Sequence, residues 1–197
     1  MARPSSHKAQ KPGSGTTVTG PGGVGKSRLV IDAGLEVLES LEQMAKRSGL
    51  HLEMGEMAVC ERVVSAEEAG PMGVTPAEPA TCVTRVIMVE GKPVAHLTDL
   101  LPQTILRQAE LGPDFRGSVL DHLVARSWPA LSHSRTELVS EAADRNLAQA
   151  LRVARGAPLM KLEARLFATD GRVIDYSISY FVPGSFRFHV VRRVAGA

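Results

Sequence analysis

Residues 20–27, Gly-Pro-Gly-Gly-Val-Gly-Lys-Ser, fit the pattern G-x-x-x-x-G-K-[ST] at every fixed position. Such a loop wraps phosphates in backbone N–H groups. Its lysine reaches the β- and γ-phosphates and its serine hydroxyl reaches a magnesium ion. The chemistry needs a buried parallel strand leading into the loop and a helix leaving it. The one candidate strand, residues 16–19, holds a single aliphatic side chain, whereas buried parallel strands are near-continuous Val, Ile and Leu runs. A Gly-rich linker is therefore the expected reading of residues 20–27, and a small nucleotide-binding protein is the alternative.

Other chemistry finds less support. There is no G-x-S-x-G elbow and no cysteine beside an orienting histidine. Cys60 and Cys82 lack zinc-ligand spacing and read as inert thiols of a reducing cytoplasm. His96, His122, His133 and His189 show no metal-ligand spacing either. Glu67 and Glu68 are adjacent, so on a helix they point in different directions. No catalysis, metal or cofactor is expected.

The elements that would position any site come next. From Ile31, apolar residues recur at helical spacing through Leu35, Leu38, Leu41 and Ala45, with Lys46 and Arg47 before Gly49. This predicts a helix over residues 32–48. Beyond it lies an internal repeat. One copy has a strand near 51–63, a helix after Ser65, and the hairpin CVTRVIMVEGKPVAHLTDLLP (82–102). The other has a strand near 132–140, a helix near 141–151, and KLEARLFATDGRVIDYSISYFVP (161–183). Aligning the turn glycines, Gly91 and Gly171, makes Arg165 the counterpart of Arg85. In the second hairpin Met160, Leu162, Ala164, Leu166 and Ala168 alternate with polar residues, and so do Ile174, Tyr176, Ile178, Tyr180 and Val182. With Asp170–Gly171 as a two-residue turn, one apolar and one polar face are expected. A last strand follows Pro183–Gly184, and helices are expected near 103–110 and 117–127. The fold class is α+β: an antiparallel sheet with helices on one side, built from two strand–helix–hairpin half-repeats.

The chain has 197 residues, with 23 Lys and Arg against 21 Asp and Glu, a net charge of +2. Residues 1–31 carry five basic and no acidic side chains, which leaves 18 basic and 21 acidic on the rest. A slightly acidic body is not a whole-surface nucleic-acid binder. The N-terminus lacks an apolar signal core, and no run of 18 apolar residues exists to span a membrane. The expected division is a basic leader over 1–30 and one domain over 31–195, in a cytoplasmic protein.

Three segments, GLEVLESLEQMAKRSGL (34–50), TRVIMVEGKPVAHLTDLLP (84–102) and KLEARLFATDGRVIDYSISYFVPGSFRFHVVRR (161–193), resemble the UTRA effector-binding domains of GntR-type (HutC subfamily) bacterial transcription regulators. The resemblance implies a chorismate lyase-like fold, a small-molecule pocket and a homodimer whose geometry responds to the effector. It also implies DNA contact through an N-terminal winged helix-turn-helix. Of that domain only KPGSGTTVT (11–19), similar to the end of its wing, is expected here. Arg85 matches the first position of the family's Arg-x-Arg, and Ile87 stands at the second. Leu97 stands where relatives often carry Glu, with Asp99 two residues on. Asp175 matches an acidic position after the second turn, Ser177 and Tyr180 lie on the same hairpin, and Arg165 completes the candidate ligand set. The bland readings stay open: salt bridges on a solvated face for Arg85 and Arg165, simple exposure for Asp175 and Ser177, and core packing for Tyr180. For residues 20–27 the linker reading makes a direct prediction. ATP or GTP titration, with and without magnesium, should show no micromolar binding that Lys26→Ala abolishes.

Overall fold

A computed structural model describes residues 30–192 and 194. Its elements run β1 (Ile31–Gly34), α1 (Leu41–Arg47), β2 (Glu53–Val63), α2 (Ala66–Met72), β3 (Pro79–Val89), β4 (Lys92–Pro102), α3 (Gln108–Leu111), α4 (Val119–Arg126), β5 (Leu131–Ala142), α5 (Arg145–Leu151), β6 (Pro158–Ala168), β7 (Val173–Phe181) and β8 (Phe186–His189). Six strands form an antiparallel sheet in the order β2-β3-β4-β7-β6-β5, and β1 pairs with β8 in parallel as a separate ribbon. The leader, with the wing-like segment 11–19 and the loop 20–27, lies outside the described residues.

The sheet order displays the repeat. Each half is strand, helix, strand, strand, and the two meet where β4 pairs with β7. The short helices start at side-chain caps that sequence supplies. Ser65 Oγ accepts from the Glu68 N–H (3.3 Å) while Glu68 Oε2 accepts from the Ser65 N–H (3.0 Å), a reciprocal capping box. Asp144 accepts from the Leu147 N–H (2.7 Å) to open α5, and Ser118 from Asp121 (3.2 Å) to open α4. Glu68 also binds Arg62 at 2.6 and 2.8 Å, and that guanidinium holds its carboxyl down at a pKa of about 2.

Two expectations about the elements need correction. The helix over 32–48 is only α1, because Ile31 and Ala33 are buried, Asp32 is exposed, and β1 instead lies along β8. An available strand edge overrode a helical spacing. Ser40, whose side chain accepts from the Gln43 N–H (3.2 Å), is the true start of the helix. At Ile31–Gly34, where a helix leaving a phosphate loop would run, the chain is a strand.

The α+β class and the antiparallel sheet are as expected, but the helices divide between the two faces. α2 and α5 bury Met72 and Leu151 in clusters with Cys82, Leu100 and Tyr176 and with Leu159 and Tyr180. α4 buries Val119 and Leu123 with Val83, Leu101 and Leu166 on the other face, and α1 buries Met44 and Ala45 there with Ile87, Leu97 and Phe181. The sheet therefore has two packed faces.

Urea denaturation checks the local account. Ser65→Ala should cost ~1 kcal/mol through loss of the cap. Leu106→Ala, at a fully buried position, should cost ~2–5 kcal/mol.

Candidate functional site

Side chains alternate across a strand, so register decides which of them share a face. The β3–β4 hairpin turns at Glu90 and Gly91, both at positive φ (49° and 71°), as a two-residue primed turn requires. Next to the turn, Met88 pairs with Pro93. After one irregularity Ile87 pairs with Ala95, Arg85 with Leu97 and Val83 with Asp99. In the register of the turn itself, Arg85 would pair with His96 and Asp99 with Cys82, on opposite faces. The bulge brings Arg85 and Asp99 to one face.

β7 continues the phase. Ser179 pairs with Leu97 and Ser177 with Asp99, and Asp175 follows two residues along on the same face. β6 then sets Leu162, Ala164 and Leu166 opposite Ser179, Ser177 and Asp175, and β5 adds Thr136 and Ser134. The apolar side of β6 thus lies beside the polar side of β7, where one apolar and one polar face of this hairpin had been expected. The turn is also longer than expected. Only Gly171 takes positive φ (84°), its N–H donates to the Ala168 carbonyl (3.0 Å), and the Ala168 N–H donates to the Arg172 carbonyl (2.9 Å). An irregularity between Leu166 and Phe167 absorbs the extra residue. The register alone makes the mixed face. A two-residue loop at 170–171 already pairs even-numbered residues with odd-numbered ones.

Above this face lies a cavity of about 380 Å³, within the size range of small-ligand sites. Its floor is Arg85, Leu97, Asp99, Leu162, Ala164, Leu166, Asp175, Ser177, Ser179 and Phe181, and its walls come from residues 34–41, Met44, Ser118, Leu120 and Phe188. Asp121 ties two of those walls together. Its carboxylate accepts from Ser40 Oγ (2.8 Å) and from Gln43 Nε2 (2.7 Å), which clamps the N-terminus of α1 to α4.

The electrostatics concentrate on three buried ionisable side chains: Arg85 (4% exposed), Asp99 (7%) and Asp175 (6%). Arg85 Nη1 donates to Glu42 Oε1 (2.9 Å) and to the Gly117 carbonyl (3.0 Å), and Nη2 lies 3.5 Å from Asp99 Oδ2 without hydrogen-bond alignment. Asp99 Oδ2, Asp175 Oδ1 and Arg85 Nε have no protein hydrogen-bond partner. Burial pushes the Asp99 carboxyl above its ordinary range, against the pull of Arg85. Burial, reinforced by the neighbouring Asp99 charge, pushes Asp175 well above it. Two carboxyls backed by one guanidinium hold a proton readily and want donors.

The six sequence candidates separate. Arg85, Asp99, Asp175 and Ser177 meet at the cavity. Exposed salt-bridge and surface readings of Arg85 and Asp175 give way to burial. Arg165 and Tyr180 face the other side. Arg165 Nη2 donates to Glu137 (3.2 Å), and Tyr180 packs beside α5 with its hydroxyl donating to Glu141 (3.2 Å). Pairing Arg165 with Arg85 failed because the turn glycines were the wrong anchor. The cap residues Ser65 and Asp144, and the strand-opening Pro79 and Pro158, are each 79 residues apart, whereas the glycines are 80 apart. On the 79-residue offset Arg85 corresponds to Ala164, which also lines the cavity. A one-residue slip sends a side chain to the opposite face. Sequence reasoning missed Ser179, Ser134, Thr136, Phe181 and Glu42. The alternation on β7 was enough to find Ser179 and Phe181, but only the tertiary fold brings Glu42 to Arg85.

Among the described residues, no cluster of His, Cys, Asp or Glu could hold a metal ion, and no helix is long and apolar enough to cross a membrane.

A UTRA domain family model matches residues 48–187. In solved structures the chain is similar to the effector domain of PhnF from Mycobacterium smegmatis, with 20% identity over 83% of this chain and 100% of that one, at a TM-score of 0.74. It is similar to the C-terminal domain of Yurk from Bacillus subtilis, with 13% identity over 82% and 99%, at 0.65. It is also similar to a GntR-family transcriptional regulator from Bacillus cereus, with 17% identity over 73% and 99%, at 0.63. These likenesses concern the fold. No curated relative matches the chain in sequence.

The raised carboxyls make a stability prediction. Asp99 and Asp175 bind protons more tightly folded than unfolded, so their contribution is fully present below the ordinary carboxylate range and is lost as pH rises through the raised folded values. Denaturant midpoints should therefore fall as pH rises from that range toward neutrality. Asp175→Asn should flatten this dependence and raise stability at neutral pH. An unchanged slope would remove Asp175 as its source.

Proposed function

Because the chain belongs to the UTRA domain family, we propose that it is the effector-sensing part of a GntR-type transcription regulator, working in the cytoplasm. The observation that carries this reading is the cavity on the sheet, with three buried ionisable side chains on its floor and an apolar strip of Leu162, Ala164 and Leu166 beside them. A fold that buries an incompletely paired carboxyl pair accepts a stability cost of several kcal/mol per ion. A partner that supplies the missing donors would recover it. The reading is of binding without turnover.

Coupling to DNA follows from the same geometry. α1, through Asp121 and through Glu42 on Arg85, touches both the wall and the charged floor. An effector that prefers one placement of α1 would shift a dimer between two arrangements, as far as its affinities for them differ. DNA contact belongs to a winged-helix domain joined to the sensor.

Thermal denaturation across a broad metabolite library tests the reading. A true effector at 100 times its Kd should stabilise the chain by about 2.7 kcal/mol. Ala164→Phe, which fills the floor, should keep the fold by circular dichroism and abolish the shift. Sedimentation should show a dimer. A folded chain that no metabolite stabilises would overturn the proposal.

A further inference from the structure

We propose that the cavity takes a small organic cation: a primary or secondary ammonium group carried on a compact apolar body. This rests on the effector-binding reading and names the chemistry of that same site.

The charge around the floor points this way. The ionised or ionisable groups that face it are Arg85 from β3, Asp99 from β4, Asp175 from β7, Glu42 from α1, His133 from β5, and Glu36 and Glu39 from the segment before α1. Glu39 is answered by Arg47. At the centre, two buried carboxyls (Asp99 and Asp175) and the half-buried Glu42 surround one guanidinium. Even with one carboxyl protonated, Arg85 is outnumbered.

Arg85 is also partly committed. One nitrogen of its fork serves Glu42 and the Gly117 carbonyl, and the other lies beside Asp99. A carboxylate or phosphate drawn to the remaining Arg85 donors, Nε and Nη2, would sit against Asp99 and Asp175. The nearest same-face positions on β3 and β4, Ile87 and Leu97, are apolar and add no second cation.

Of the three unpartnered polar atoms at the floor, two are carboxylate acceptors and the third is the Arg85 Nε donor. Asp99 Oδ2 and Asp175 Oδ1 are buried without partners. An ammonium brings two or three donors and a full positive charge, and in this low-dielectric setting it gains from both carboxylates. The Ser177 and Ser179 hydroxyls stand beside the acids for a further contact, while Leu162, Ala164, Leu166 and Phe181 offer an apolar bed. The floor is therefore acidic at one side and aliphatic at the other, which matches an amine on a hydrocarbon body. Binding would also expel the proton that the acid pair holds, so affinity should strengthen as pH rises toward neutrality.

The test is calorimetric titration of the folded chain with cyclohexylamine, isoamylamine and phenethylamine, each beside its alcohol and carboxylate counterparts, and with glucose 6-phosphate. At least one amine should bind more tightly than its neutral and anionic counterparts by about tenfold or more. Its binding should release protons, as read from titrations in buffers of different ionisation enthalpy. Asp175→Asn should weaken it by about tenfold or more, and Ala164→Phe should abolish it, each variant being checked for fold by circular dichroism. If the carboxylates or glucose 6-phosphate bind and the amines do not, the cation assignment falls and the effector reading stands. If no amine binds, the assignment falls as well. The effector reading falls only if the broad metabolite screen also finds nothing that stabilises the folded chain.

Discussion

One unpaired residue in β4, Val94, decides what the cavity contains. Because side chains alternate strictly along a strand, the irregularity between Ile87 and Met88 transfers Asp99 to the face that Arg85 occupies. β7 inherits that phase from β4, and β6 and β5 inherit it in turn. Everything that follows on this face, from the buried carboxyl pair to the aliphatic strip beside it, depends on that local interruption close to the turn.

The same alternation explains why both faces are packed. Tyr176, Ile178 and Tyr180 of β7 lie opposite Arg165, Glu163 and Lys161 of β6, on the side covered by α2 and α5. Each face of the second hairpin is therefore half apolar and half polar. On the helix side the polar half is satisfied: the Tyr176 hydroxyl donates to Glu163 (2.7 Å), and Lys161 sits 3.2 and 3.3 Å from Glu141 and Glu163. On the cavity side it is not, since Asp99 and Asp175 each keep an acceptor without a protein donor. The cavity face of the sheet thus leaves two carboxylate acceptors and Arg85 Nε without partners, whereas the helix-covered face leaves His96 Nδ1. That concentration of unpaired charge, rather than polarity as such, is what the proposed effector site rests on.

The burial of Arg85, Asp99 and Asp175 has an energetic reading. A charge kept from water is stabilised only by partners of good geometry, and the strongest partner here, Glu42, comes from α1 rather than from the sheet. The position of α1 and the ionisation of the floor are consequently linked. Asp121 holds the start of that helix from α4, so the wall is fixed at one end and joined to the floor charge through Glu42.

Much of this was legible in the residues alone. Alternation along the hairpins, turn signals at Gly91 and Gly171, cap residues at Ser65 and Ser118 and a repeated strand–helix–hairpin pattern are local properties, and they suffice for an antiparallel α+β sheet. Arg85, Asp99, Asp175 and Ser177 became candidates through the family resemblance, at or beside the positions its motifs match. The face each side chain takes was a different matter. It depends on bulges, loop length and the choice of partner strand, and an error of one residue reverses it, as it did for Arg165. The segment 31–34 became a strand only because β8 offered it an edge, and Glu42 met Arg85 only because α1 folded over the sheet. Local chemistry determined most of the elements, and the family resemblance supplied the candidate residues. Tertiary register alone decided which of them share a cavity, because it is the pairing of distant strands that sets the phase of an alternation whose period is two.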